Sequence, residues 1–193
     1  MENETKTIKN KNLPNQLTMA RIFAIPVFIV LLMMGFRITA TIIFIAAALT
    51  DMLDGKIARK YGLVTNFGKI MDPLADKILV YAAFCLMVED GTVRAWMLVV
   101  ILAREFVIAG MRTVAASEGI VIAAGMSGKI KTVLQMIAVP LLMLMKGITG
   151  TALAGPVRVL AYVFLWASLV MTVYSGVEYI LQNKQVFSMK EGN

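Results

Sequence analysis

The sequence predicts an all-α integral membrane protein, with six transmembrane helices in a compact bundle and both termini cytoplasmic. Three observations carry that expectation. Hydrophobic residues fill 59% of the 193 positions, above the roughly 45–50% of an ordinary soluble domain. They gather into six long apolar runs with short connections, and a helix needs about 20 residues to cross about 30 Å of hydrocarbon. The lysines and arginines also fall mostly on one side of those runs.

The runs cover 17–36, 38–59, 69–88, 95–117, 130–146 and 156–181. Before the first, Asn15 and Thr18 are candidate helix N-caps. That run ends in "LLMMGFR", without a small-residue cleavage site, so it reads as a span and not a secretory signal. Short connections favour antiparallel neighbours. Residues 1–193 read as one membrane domain, with a polar N-terminal segment, 1–16, and a polar C-terminal tail, 182–193. Gly110, Ala115 and Ala116 suit close helix approach, and Cys85, inside an apolar run, is expected to pack.

Six spans put both termini on one side. Of the nineteen lysines and arginines, Arg37, Arg94, Lys146 and Arg158 fall on the opposite side and Arg104 in mid-span. The other fourteen share the side of the termini, which the positive-inside bias makes cytoplasmic. The formal charge of +7 sits at the ends of apolar runs, not in a solvated stripe interleaved with aromatics. That pattern suits anionic lipid or a phosphorylated substrate and sets nucleic acid aside. With no histidine and a single cysteine, serine–histidine and cysteine–histidine pairs are excluded. Chemistry is left to carboxylates, lysines, arginines and hydroxyls.

One stretch stands against the apolar pattern: "LTDMLDGKIARKYGLVTNFGKIMDPLADK", residues 49–77. The run from 38 to 49 is too short to cross, so its helix must continue through Asp51 and Asp54. Asp72 and Asp76 open the next helix in the same way. Each charge at such depth costs at least ~2.5 kcal/mol, and four together repel one another. Taken singly, Asp54 can pair with Lys56 or Arg59, and Asp72 with Lys69 or Lys77. Taken together, four carboxylates with no softer ligand nearby suit hard divalent cations such as magnesium. At 100° per residue, Asp51, Asp54, Gly55 and Ala58 share an arc of about 100°. Gly68, Asp72 and Asp76 form one stripe of the following helix, and the small residues leave room for a ligand near the backbone. Two metals held there would clamp a pyrophosphate.

The pattern D-x2-D-G-x2-A-R-x8-G-x3-D-x3-D, complete in Asp51, Asp54, Gly55, Ala58, Arg59, Gly68, Asp72 and Asp76, resembles the signature of the CDP-alcohol phosphotransferase family. The number of spans and the length are similar too. The stretches "NLPNQLTMARIFAIP", "ILAREFVIAGMR" and "SGKIKTVLQM" resemble the bacterial members that use CDP-diacylglycerol and glycerol 3-phosphate. The resemblance implies transfer of the phosphatidyl group to that acceptor, release of CMP, and a bacterial cell-membrane enzyme with its site facing the cytoplasm. It implies that Asp51, Asp54, Asp72 and Asp76 ligate two Mg2+ (or Mn2+) ions, with Asp76 also the general base. It implies that Thr18, Arg21, Asp54, Gly55, Ala58, Arg59 and Gly68 meet the cytidine nucleotide of CDP-diacylglycerol. Membrane lipids and a second copy of the chain, in a homodimer, are its expected partners.

An acceptor with its own phosphate needs fixed cations, and Arg112, Lys129 and Lys131 are the candidates. Lys129 and Lys131 are two apart and cannot share a helical face. Arg104 and Glu105, in mid-span, are expected to satisfy partners within the bundle, in a structural more than a catalytic role. Rival readings keep the reaction with serine, inositol phosphate or phosphatidylglycerol as acceptor, or make the carboxylates the path of a divalent-cation transporter.

Overall fold

The computed structural model describes the backbone over residues 13–61, 66–123 and 125–188. Side chains are described over the same residues except 13–18, 51–61, 66–70, 72–73, 76 and 187–188. Six helices follow in order: α1 (Leu13–Met33), α2 (Arg37–Tyr61), α3 (Asn66–Glu89), α4 (Ala95–Ser117), α5 (Met126–Gly147) and α6 (Ala154–Gln182). A short 3-10 turn, Lys184–Ser188, comes last. Among the described residues there is no strand.

The boundaries differ from expectation where local chemistry intervenes. Over the described residues helix α1 runs from Leu13, so the backbone of Asn15 and Thr18 lies inside it. The same helix stops three residues before position 36. Gly35 takes φ +84°, a left-handed conformation that suits glycine, and Phe36 N donates to Leu31 O at 2.9 Å, closing the end. Gly91, with φ +74°, turns the chain between α3 and α4 in the same manner. Helix α5 begins four residues before position 130 and takes "MSGK" into its first turn. The polar tail expected from 182 contains the 3-10 turn, which buries Val186.

Every helix contributes to one core, including Phe28, Phe44, Phe84, Ile101, Leu142 and Leu165. The Phe28 and Phe44 rings lie 6.0 Å apart, tilted by 49°, an arrangement aromatic quadrupoles favour. The outside is apolar as well: Phe23, Ile42, Phe106, Val133 and Val170 are all exposed. Water does not sustain so much contiguous apolar surface. Helices α5 and α6 are long and apolar enough to cross a membrane. This is an all-helical membrane protein.

Three details depart from the sequence reading of packing. Cys85 is exposed on α3. Gly110 has open space where a Cβ would stand. The close approaches occur instead at Gly128, Gly147 and Gly176, where an added Cβ would come within 2.9 to 3.1 Å of a neighbouring side chain.

The α1–α2, α3–α4 and α5–α6 junctions meet at one end of the bundle, so successive helices run up and down. Asp90 is the joint there. Its Oδ2 accepts from Arg37 Nη1 at 2.7 Å, and its Oδ1 lies 3.0 Å from Lys146 Nζ. Lys146 also donates to the Asp90 carbonyl at 2.9 Å, and Thr92 donates to Oδ1 through both N and Oγ1. Beside this joint Trp96 and Trp166 stand 5.9 Å apart, half-exposed as aromatics at a membrane interface are.

Burial alone would raise the Asp90 carboxyl, but the hydrogen bonds from Thr92, Arg37 and Lys146 outweigh it and lower the pKa from 3.8 to about 2. A lowered folded-state value means that the stabilisation is fully present above the ordinary value and is lost as pH falls towards the folded one. Asp90→Asn should therefore unfold at a lower temperature than the native protein in detergent at pH 6. The gap should narrow as the pH falls from about 4 towards 2. A gap that stays constant with pH would show that Asp90 acts through packing and not through its charge.

Candidate functional site

The opposite end of the bundle gathers the aspartate motif. Helix α2 continues through Asp51 and Asp54 to Tyr61, as the length argument required. Asp51, Asp54, Gly55, Ala58 and Arg59 occupy its last three turns, and Gly68, Asp72 and Asp76 the first three turns of α3. The helical register therefore gives each set one face, at adjoining ends of consecutive helices. Their side chains lie outside the described residues, as does that of Thr18. Among the described residues no group of three or more His, Cys, Asp or Glu stands together. The motif supplies an all-oxygen donor set from four carboxylates, which fits a hard divalent cation and no softer one.

Next to the motif, α3 carries Lys77, the first of a set of charges drawn from three helices. Its Nζ lies 3.5 Å from Glu105 Oε2 on α4. Glu105 Oε1 accepts from its neighbour Arg104 Nη1 at 2.7 Å and forms a close ion pair with Lys131 of α5. Lys131 and Glu105 are almost wholly removed from solvent, with 4% and 12% of their side chains exposed. One carboxylate thus answers three cations.

A cavity of about 560 Å3 opens beside this cluster, among the middle of α3, the start of α5, the second half of α4 and the end of α6. Its volume falls within the roughly 300–1,000 Å3 of small-molecule sites. Among the described residues, Lys77, Arg104, Arg112 and Lys129 make its wall basic, with Glu105 and Glu178 the acidic groups. Arg112 is held in place by Tyr179: its Nε donates to the phenol oxygen at 3.1 Å, and its Cζ lies 5.5 Å from the ring centroid. The first turn of α5 joins the wall through Ser127, Gly128 and Lys129. Its N-cap, Gly125, offers no side chain to the free amides there, so that end of the helix keeps its partial positive charge.

Of the three cations expected for an acceptor phosphate, Arg112 and Lys129 come together in this cavity. Lys131 does not. It points to a separate cavity of about 60 Å3, with Gln135 and Tyr81. Arg21 is buried in α1, with 3% of its surface exposed. Arg104 and Glu105 find partners within the bundle, as their mid-span position led one to expect, and one of those partners is each other. The sequence reading did not give Lys77, Glu178 or Tyr179 a place in such a cavity. A signal existed for Arg104, because charges in mid-span are costly and mark sites. None existed for Tyr179, which reads as an ordinary interfacial aromatic.

An all-helical membrane bundle with an aspartate-rich motif and a basic cavity at one end defines a class of enzymes that transfer phosphorylated alcohols from nucleotide carriers. The chain belongs to the CDP-alcohol phosphatidyltransferase family, whose model matches residues 11–174. More particularly, it is similar to the CDP-diacylglycerol–glycerol-3-phosphate 3-phosphatidyltransferase of Bacillus subtilis, at 43% identity over 89% of this chain and 95% of that protein. The protein of the same name from Rickettsia prowazekii is 38% identical, over 92% of this chain and 98% of its own length.

The Glu105 cluster makes a test of its own. Breaking a buried ion pair from one side strands a charge, at about 3–5 kcal/mol. Glu105→Gln should lower stability by about that much, and Glu105→Gln combined with Lys131→Met should recover part of it, since Arg104 still lacks its carboxylate, measured by unfolding in detergent. Simple additivity of the two changes would mean that the pair contributes nothing as a pair.

Proposed function

We propose that the protein transfers the phosphatidyl group of CDP-diacylglycerol to glycerol 3-phosphate, releasing CMP and forming phosphatidylglycerophosphate. The observation that carries this reading is the basic cavity next to the aspartate motif, joined to it through Lys77, the residue after Asp76. The family and the names of its relatives support the reaction. In this reading residues 1–193 form one domain of six spans in the bacterial cell membrane, with termini and site facing the cytoplasm, and two copies form a homodimer.

Asp51, Asp54, Asp72 and Asp76 hold the divalent cations, two Mg2+ or Mn2+. When bound, such ions draw charge from a pyrophosphate and stabilise a departing phosphate oxygen. Thr18, Arg21, Gly55, Ala58, Arg59 and Gly68 receive the cytidine nucleotide while the lipid tails stay in the bilayer. Arg112 and Lys129 hold the acceptor's phosphate, and the first turn of α5 adds its amides. Asp76 takes the proton from the acceptor's primary hydroxyl as that oxygen attacks the phosphorus bonded to diacylglycerol. The bond between that phosphorus and the CMP oxygen breaks, and CMP leaves with the electron pair. Lys131 serves the site indirectly, by fixing Glu105.

Purified protein with CDP-diacylglycerol, magnesium and glycerol 3-phosphate should release CMP. Chelator should abolish the release, and Asp76→Asn should slow it by about 100- to 10,000-fold. Release with serine, inositol phosphate or phosphatidylglycerol instead would keep the chemistry and replace the acceptor. Folded protein that releases CMP with none of them would return the carboxylates to the transporter reading, which a cation-flux assay in vesicles would then examine.

A further inference from the structure

Another cavity, of about 510 Å3, opens at the far end of the bundle, beside the Asp90 joint. Arg94, Trp96 and Met97 at the start of α4 and Tyr162, Leu165 and Trp166 of α6 line it. Met97 and Leu165 are buried, whereas Arg94, Trp96 and Trp166 are exposed.

This lining offers donors and little to receive them. Tyr162 Oη donates to the Thr92 carbonyl at 3.4 Å, and Thr92 Oγ1 donates to Asp90. The Arg94 side chain makes no hydrogen bond or ion pair among the described residues. The indole N–H groups of Trp96 and Trp166 have no acceptor there either, since the two rings meet only each other. Guanidinium and indole can only donate, so the ligand that suits them is rich in acceptors.

Charge narrows the choice. Arg37, Arg94, Lys146 and Arg158 stand at this end, with Glu89 and Asp90 as its carboxylates. Asp90 is taken up by Arg37 and Lys146, and Glu89 does not line the cavity. Arg94 is thus left without an acid in the wall. A zwitterionic headgroup would bring its own ammonium into a surplus of positive charge, whereas an anionic one brings the phosphodiester alone.

The helices beyond the cavity suit a lipid and not a free ion. Deeper along α4 and α6, at spacings of three, four and seven from the two tryptophans, Val99, Val170 and Val173 are exposed. Acyl chains cover such faces, and a free phosphate would leave them bare.

We propose that this cavity binds the headgroup of an anionic phospholipid from the leaflet remote from the aspartate motif. Its phosphodiester oxygens accept from Arg94 and the two indoles, and its chains run along Val99, Val170 and Val173. The lipid answers the charge of Arg94 and bridges α4 to α6. The site is independent of the phosphatidyl-transfer reading and stands or falls without it.

The chain has two tryptophans, and both line this cavity, so tryptophan fluorescence reports on this place and not on lipid bound at the catalytic end. Full-length protein in phosphatidylcholine vesicles is titrated with phosphatidylglycerol whose acyl chains carry bromine, a contact quencher. Quenching should exceed that by brominated phosphatidylcholine, with a preference of about 5- to 10-fold. Arg94→Gln, which breaks no bond within the protein, should abolish the preference without changing the melting temperature, and Arg94→Lys should keep most of it. Excess inorganic phosphate should leave the quenching unchanged. Equal quenching by the two lipids, or a preference that survives Arg94→Gln, overturns the proposal. Relief of quenching by phosphate overturns it in favour of a free-anion site. Absence of quenching by either lipid overturns it in favour of protein cover, such as a second copy of the chain.

Discussion

A charge enclosed among apolar helices is stable only when an opposite charge meets it, and two carboxylates meet that demand at the two ends of this bundle. Asp90 draws Arg37 and Lys146 together where three helix junctions converge. Glu105 draws Lys77, Arg104 and Lys131 together from α3, α4 and α5. Between helices that all prefer lipid there is little hydrophobic drive to associate. The ion pairs therefore supply direction, while the packed core supplies contact. The two ends differ in how well the charges balance. Two cations and a hydroxyl answer Asp90, and that end is a joint. Among the described residues Glu105 is outnumbered by its cations, and the cavity lies beside it.

Room for that cavity comes from what the helices omit. Gly128 and Gly176 leave the lane in which Arg104 lies. Gly125 leaves the amides of α5 open to the cavity. Buried hydroxyls on α6 cause no competing demand, because Ser168, Thr172 and Ser175 donate to carbonyls of their own helix. Polar groups that satisfy themselves locally let α6 form a cavity wall without drawing charge away from it.

Much of this was legible in the sequence, and the rest for definable reasons was not. Apolar runs located all six helices, since length and hydrophobicity are properties of single segments. The stop of α1 was misjudged because the apolar residues continue past it, while Gly35 turns the backbone regardless of hydrophobicity. The start of α5 was misjudged because "MSGK" is polar and helical at once. Spacing showed that Lys129 and Lys131 must diverge, because two residues rotate the helix by about 200°. It did not show which one turns inward, since that depends on Glu105 of another helix. The Arg104 lane was invisible for the same reason. A glycine announces itself in sequence, but the side chain that uses the vacancy does not.

The Glu105–Lys131 pair joins residues 26 positions apart in the chain, and this has a consequence in time. When the fourth helix leaves the ribosome, its carboxylate already has Arg104 beside it as an internal counter-ion. The fifth helix has no such provision: Lys131 brings an ammonium, and nothing within its own segment answers it. An isolated α5 would bear a penalty of at least ~2.5 kcal/mol in lipid, removed only when α4 lies alongside. Synthesis order delivers the acid first and the base second, so the helix that needs a partner always finds it waiting. The same residues that charge the cavity thereby tie the placement of the fifth helix to that of the fourth.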